Sequence, residues 1–255
     1  MLRDGKYIYC IIASDYDLNL GPIGIGGNSV SSVGFDGLCM VVSNHPITGS
    51  EVNSVNLLTH QKVIEAVMKE YDSVLPIRFG TIASTPDEIR NLLERRSCEF
   101  KDLLQEFENK IELNVRGTWK DMSTIYNAID KNNSDLQNIR IELAAVNNIE
   151  ERDFKINKAG KLVTDALIKM KQTETEPIID AFRKSVYDFK HNKTDSDNMF
   201  MNTAFLINSG REIEFDNIMA DLGLKYQDSC DFVYTAPLPN FNFIDLKIFP
   251  ERWEL

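Results

Sequence analysis

The spacing of apolar and polar positions changes several times along the chain. Tyr7 to Ala13 (YIYCIIA) is an unbroken run of aromatic, β-branched and small apolar residues, the composition of a central strand. Gly21, Gly24, Gly26, Gly27 and Pro22 follow, too many breakers for regular structure. Ser29 to Gly34 and Gly37 to Ser43 (GLCMVVS) read as two more strands, with Gly34-Phe35-Asp36-Gly37 as the hairpin turn between them. From Val55 to Tyr71 the period becomes helical, and Leu57, Leu58, Gln61, Ile64, Val67, Met68 and Tyr71 share one face. Val74 to Phe79 is a short apolar run, a fourth strand or an extended link. Thr85-Pro86-Asp87-Glu88 supplies an N-cap, a first-turn proline and a capping-box glutamate, and predicts a helix running to about Asn109.

A second unit opens near Lys110. Glu112, Asn114, Arg116 and Thr118 alternate with Ile111, Leu113, Val115, Gly117 and Trp119, the period of a half-buried strand. From Asp135 to Asn192 the pattern gives three amphipathic helices and no strand. The third helix starts after the polar stretch Thr173 to Pro177. Met201 to Ile207 then reads as a strand, Glu212 to Leu222 as a helix ended by Gly223, and Leu224 to Thr235 as a last strand. Strands mixed with helices in this order make an α+β protein, its second half a split βαβ pattern with a helical insertion.

Charge narrows the function. The chain has 255 residues and a net charge of −11. A nucleic-acid binder needs a basic field to displace phosphate counterions, so nucleic acid is disfavoured, and an anionic membrane surface with it. The apolar run at Tyr7 is too short to span a bilayer and lacks a cleavage site of small residues. Cys10, Cys39, Cys98 and Cys230 are scattered without a C-x-x-C pair, as in a reducing compartment. These readings place the protein in the cytoplasm.

The search for a reactive centre is negative. Gly24-x-Gly26 would need glycine at position 29 to complete G-x-G-x-x-G, and that residue is Ser29. No P-loop, G-x-S-x-G or H-E-x-x-H motif occurs. His45, His60 and His191 form no ligand pair. No cofactor, metal or catalytic residue is assigned. Two segments stand out as geometry instead. Val74 to Thr81 (VLPIRFGT) sets Arg78 beside Phe79 in an apolar run, where an arginine needs a carboxylate or carbonyl partner. Thr235 to Ile244 (TAPLPNFNFI) carries Pro237 and Pro239, which forbid helix, and Phe241 and Phe243, spaced to point to one side of an extended segment. Arg78, Phe79, Pro237, Pro239, Phe241 and Phe243 are therefore the candidate structural or partner-contact residues.

These same two segments carry a resemblance. VLPIRFGT, after a helix bearing His60, resembles the central V-L-P-[VI]-R-F-G-T signature of the gas vesicle F/L proteins. Ala236 to Ile244 (APLPNFNFI) is similar to that family's C-terminal G-P-W-P-P-Y-x-F-V, with Ala236 in place of Gly, Leu238 in place of Trp, and Asn240 and Phe241 in place of Pro and Tyr. The resemblance implies two α+β domains, residues 1–110 and 111–255. The second would be a modified ferredoxin-like fold with a helical insertion at about 135–192 and an extended tail. It implies a non-enzymatic accessory or minor structural protein of gas vesicle formation, in the cytoplasm on the vesicle. Its partners would be the hydrophobic shell protein and other accessory proteins. The competing expectation is a small-molecule-binding module or enzyme on a ferredoxin-like scaffold.

Overall fold

A computed structural model of the chain describes residues 4–47, 52–146 and 148–248. These residues form two compact units of mixed α and β structure. The first comprises the chain up to Leu113 with Leu206–Gly210 and the segment from Ala236; the second comprises Asn114–Phe205 and Arg211–Thr235. The tail thus belongs to the first unit and not, as the linear division at 110/111 had it, to the second. The reason is hydrophobic: Ile244 and Leu246 are buried in a cluster with Ile8, Ile11 and Phe100.

The first unit is an antiparallel sheet of β1 (Asp4–Ala13), β2 (Asn19–Gly21), β3 (Val30–Phe35), β4 (Leu38–Pro46), β5 (Leu75–Pro76) and β6 (Ile82–Ala83). Its order is β2-β3-β4-β1-β5, with β6 also paired to β1. The β3–β4 turn tightens to Asp36 (φ 48°) and Gly37 (φ 76°), two positive-φ residues whose twist suits a two-residue hairpin. A β-bulge between Ile8 and Cys10 shifts the register of β1 against β4. The bulge sets consecutive residues Tyr9 and Cys10 on one face with Tyr7 and Ile12, and Ile8 and Ile11 on the other.

Helix α1 (Ser54–Met68) covers the tyrosine face with Val63, Ile64 and Val67. Helices α2 (Pro86–Arg95) and α3 (Ser97–Glu106) cover the opposite face with Ile89, Leu93, Phe100 and Leu104. Thr85 caps α2 by accepting from Glu88 N, while the Glu88 carboxylate accepts from Ser84 N. The single helix expected from 86 to 109 is broken at Arg96 (φ −108°, ψ 20°). That residue's guanidinium binds Glu99 and the Lys247 carbonyl.

The second unit, with the strand ends Lys110–Leu113, Leu206–Asn208 and Ala236–Leu238 counted in the first, follows the order β7 (Lys110–Trp119), α4 (Met122–Asn132), α5 (Ser134–Ala145), α6 (Ile149–Phe182), β8 (Asp188–His191), β9 (Met199–Asn208), α7 (Glu212–Lys225) and β10 (Cys230–Leu238). Its sheet has the order β10-β7-β9-β8. Phe182, Phe205 and Phe215 form its aromatic centre, with Phe182 stacked on Phe215 at 4.4 Å between centroids. Helix α6 runs through Pro177 as one 34-residue element, where two helices were expected. Proline inside a helix costs about 3 kcal/mol. Burial of Ile178, Ile179 and Phe182, at about 1.5–3 kcal/mol each, outweighs that cost. Strand β8 lies in the region expected to hold helices alone; it is a four-residue edge strand, too exposed to need apolar alternation. Helix α7 likewise continues past Gly223, so the last strand begins six residues later than expected.

Candidate functional site

The tyrosine face of the first sheet holds a complete hydrogen-bond chain centred on His60. His60 sits in the second turn of α1 and is 3% exposed. Its Nε2 lies 2.9 Å from the Ile77 carbonyl, an acceptor only, so Nε2 carries the proton. Nδ1 is then an acceptor and takes the Tyr7 hydroxyl proton at 3.0 Å. The same hydroxyl accepts from Gly80 N at 3.0 Å. Burial pushes the imidazole pKa down to about 4 and the Tyr7 hydroxyl well above its ordinary value. The site holds neutral groups.

Tyr9 repeats the device toward the glycine loop. Its hydroxyl accepts from Ile25 N at 2.9 Å and shares a 2.8 Å bond with Ser43 Oγ. A Cβ on Gly24 would stand 2.8 Å from that hydroxyl, so only glycine fits there. His60 stacks on Tyr9 and meets Tyr7 and Phe79 edge-on, with centroids 5.5–5.7 Å apart.

These bonds account for most of the VLPIRFGT segment. Leu75 and Ile77 are buried in the core, and Ile77 N donates to Tyr9 O at 2.9 Å. The Ile77 carbonyl and Gly80 N clasp His60 and Tyr7. Phe79 packs against the tyrosine face. Arg78 alone turns outward: its side chain is 65% exposed and pairs with Asp245 at 2.5 Å. The expected carboxylate partner is present, but the arginine is solvated, and such a pair contributes about 1 kcal/mol or less.

Above this hydrogen-bonded base lies an apolar groove of about 290 Å³, lined by Leu57, Leu58, His60, Gln61, Arg78, Phe79 and Phe241. Leu57, Leu58 and Phe241 remain 44%, 56% and 39% exposed, and Val52 and Val55 at the start of the helix are 78% and 69% exposed. Contiguous exposed apolar surface marks an interaction site more often than scattered single residues do. The structure thus brings Arg78, Phe79 and Phe241 together.

The other candidate residues lie elsewhere. The chain turns at Asn240, with Phe243 N and Ile244 N both bonded to Asn240 O. Phe241 and Phe243 therefore diverge, contrary to the expectation of one side: Phe241 reaches His60 at 6.2 Å, and Phe243 packs on the core cluster. Pro239 is buried and Pro237 exposed, both outside the groove lining. The turn is held by Glu112, read from its alternation as solvent-facing but only 2% exposed. Its carboxylate accepts from Asn242 N at 2.9 Å and Asn242 Nδ2 at 2.5 Å.

Leu57 and Leu58, expected on the buried face of α1, are groove walls; Ile64 and Val67 of that expected face are buried, and His60 and Val63 join them. The available signal was charge: Val52 to Gln61 carries no Asp, Glu, Lys or Arg in a chain where 26% of residues do. Among the described residues no group of three or more His, Cys, Asp or Glu is placed to hold a metal ion. No described helix is long and apolar enough to cross a membrane.

The sequence profile of the family described as "Gas vesicle synthesis protein GvpL/GvpF" matches residues 5–245. The chain belongs to this family. Among its relatives, gas vesicle protein F of Dolichospermum flosaquae is 26% identical over 243 residues, covering 91% of this chain and 95% of that one. Gas vesicle protein F of Microcystis aeruginosa is 22% identical over 244 residues, covering 95% and 98%. The crystal structure of GvpF from Anabaena sp. superposes with a TM-score of 0.79 at 21% identity, over 96% of this chain and 100% of that one. That of GvpF from Microcystis aeruginosa gives 0.78 at 24%, over 95% and 99%. The GvpL/GvpF fold is therefore shared along nearly the whole chain.

Proposed function

We propose that this GvpL/GvpF member is a non-enzymatic accessory protein that binds the hydrophobic gas vesicle shell subunit, together with other accessory proteins, and assists its assembly or nucleation. The observation that carries the reading is the apolar groove of Leu57, Leu58, Phe79 and Phe241 on a base fixed by His60 and Tyr7. A shell subunit rich in apolar surface would aggregate through its open edges before assembly. A groove that covers part of that surface delays aggregation, and a net charge of −11 keeps the loaded complex dispersed. This role places the protein in the cytoplasm and on the growing vesicle. The order β7, helices, β8, β9, α7, β10 and the sheet order β10-β7-β9-β8 support the modified ferredoxin-like reading of the second unit.

Co-expression with the shell subunit from the same gene neighbourhood tests the proposal. The wild-type chain is expected to raise the soluble fraction of the subunit and to retain it in a pull-down. Leu58→Asp should cut the retained subunit about ten-fold, a loss of about 1.4 kcal/mol, with an unchanged circular dichroism spectrum. If solubility and retention are the same with and without this chain, the assembly role fails.

A further inference from the structure

The second unit carries an open surface of a different kind. Among the described residues β10 has one neighbouring strand, β7. On that side Lys120 N donates to Ser229 O and Thr118 Oγ1 to Asp231 O. Backbone groups alternate sides along a strand, so the N–H and C=O of Phe232 and Tyr234 face away from β7. Val233 is 63% exposed and Tyr234 37%. Sheets guard long edges with charges or prolines. Here Asp231 precedes the stretch and Pro237 follows it, leaving Phe232 to Thr235 unguarded.

Beside this edge runs α7, and the two border a groove of about 630 Å³ walled by Met219, Ala220, Gly223, Phe232 and Tyr234. Small residues keep it open: a Cβ on Gly223 would meet nothing within 4 Å. An edge strand flanked by a helix-lined groove is the arrangement in which an extended peptide adds a strand. Its main chain bonds the edge, and alternate side chains enter the groove. The rim is acidic. Asp216 accepts the Tyr234 hydroxyl proton, Asp231 is offset by Lys120 at 3.3 Å, and Asp216 with Glu212 pushes the Tyr234 hydroxyl up to about 12.

We infer that β10 takes up an extended segment of another protein as a fifth strand, the segment having apolar residues at alternate positions and lysine or arginine on its flanks. A second copy of this chain fits poorly. Cys230 to Leu238 holds Asp231 and no basic residue, and each copy carries a charge of −11.

The probe is a short synthetic peptide of alternating valine and threonine with lysines at both ends, titrated into the full chain and followed by fluorescence anisotropy. Saturable binding in the micromolar range is expected. It should weaken about ten-fold or more for the same peptide N-methylated at alternate residues, for a glutamate-flanked version, and for Gly223→Trp. The open space at Gly223 lets that variant fold, which circular dichroism checks. Leu58→Asp, in the first unit, should leave the affinity unchanged. The inference is overturned by no saturable binding at millimolar peptide, by equal binding of the N-methylated or glutamate-flanked peptide or of Gly223→Trp, by loss of binding in Leu58→Asp, or by sedimentation that shows β10 occupied by a second copy.

Discussion

His60 makes the first unit sensitive to pH in a definite direction. Its pKa falls from 6.5 in the unfolded chain to about 4 in the folded one, because burial disfavours the imidazolium. Between these values the unfolded state binds more protons, so stability rises with pH through the window. The contribution is fully present above pH 6.5 and is lost as pH falls toward 4, amounting to about 3 kcal/mol. Urea titrations at a series of pH values should show this loss, and His60→Asn should flatten it. Tyr7→Phe tests the same chain of bonds: it leaves His60 Nδ1 and Gly80 N without their partner, at a cost of about 1–3 kcal/mol each. Arg78→Ala should change stability by less than about 1 kcal/mol, because the Arg78–Asp245 pair is open to water. A larger loss for Arg78→Ala than for Tyr7→Phe would reverse this ranking of the residues in the signature segment.

Among the elements, α6 offers the clearest test of local preference against packing. Pro177 is exposed and leaves Thr173 O without its helical donor, while Ile178, Ile179 and Phe182 hold the helix onto its unit. Pro177→Ala should therefore raise stability by about 2 kcal/mol, read as a higher denaturation midpoint with the same cooperativity. The same contrast explains what could be read from the chain in advance. Elements with strong local periods, such as β1, the β3–β4 hairpin, the capped start of α2 and β9, were legible from residues alone. Elements fixed by their neighbours were not. Strand β8 is polar because it lies at an edge, and α6 crosses Pro177 because a distant core fills its far side. In the site, VLPIRFGT was visible as a local segment, and the resemblance it supports was confirmed by the family match. The partners that give it form were not visible. Tyr7 and His60 are 53 residues apart, and Glu112 and Asn242 are 130 apart. No periodicity connects positions so separated.

At the scale of the whole molecule, the tail is what the linear reading misplaced. Alternation along β7 marked Glu112 as solvent-facing, yet a buried carboxylate bonded to the Asn242 backbone and side chain anchors residues 240–242. Glu112→Ala should release that anchor. Amide exchange at Asn242 and protease cleavage near it should rise several-fold, while exchange in α7 stays unchanged. Protection of Asn242 in the variant equal to wild type would show that the apolar residues Ile244 and Leu246 suffice to hold the segment.

The tail's membership in the first unit also has a consequence during synthesis. Residues 114–205 and 211–235 are made before Phe241, Ile244 and Leu246 emerge, so an early-made sheet waits for late-made side chains before its core closes. The wall that Phe241 gives the apolar groove is among the last parts of the described chain to leave the ribosome. Nascent fragments cannot present the finished groove, and a shell subunit that binds it as proposed meets only chains translated past that point.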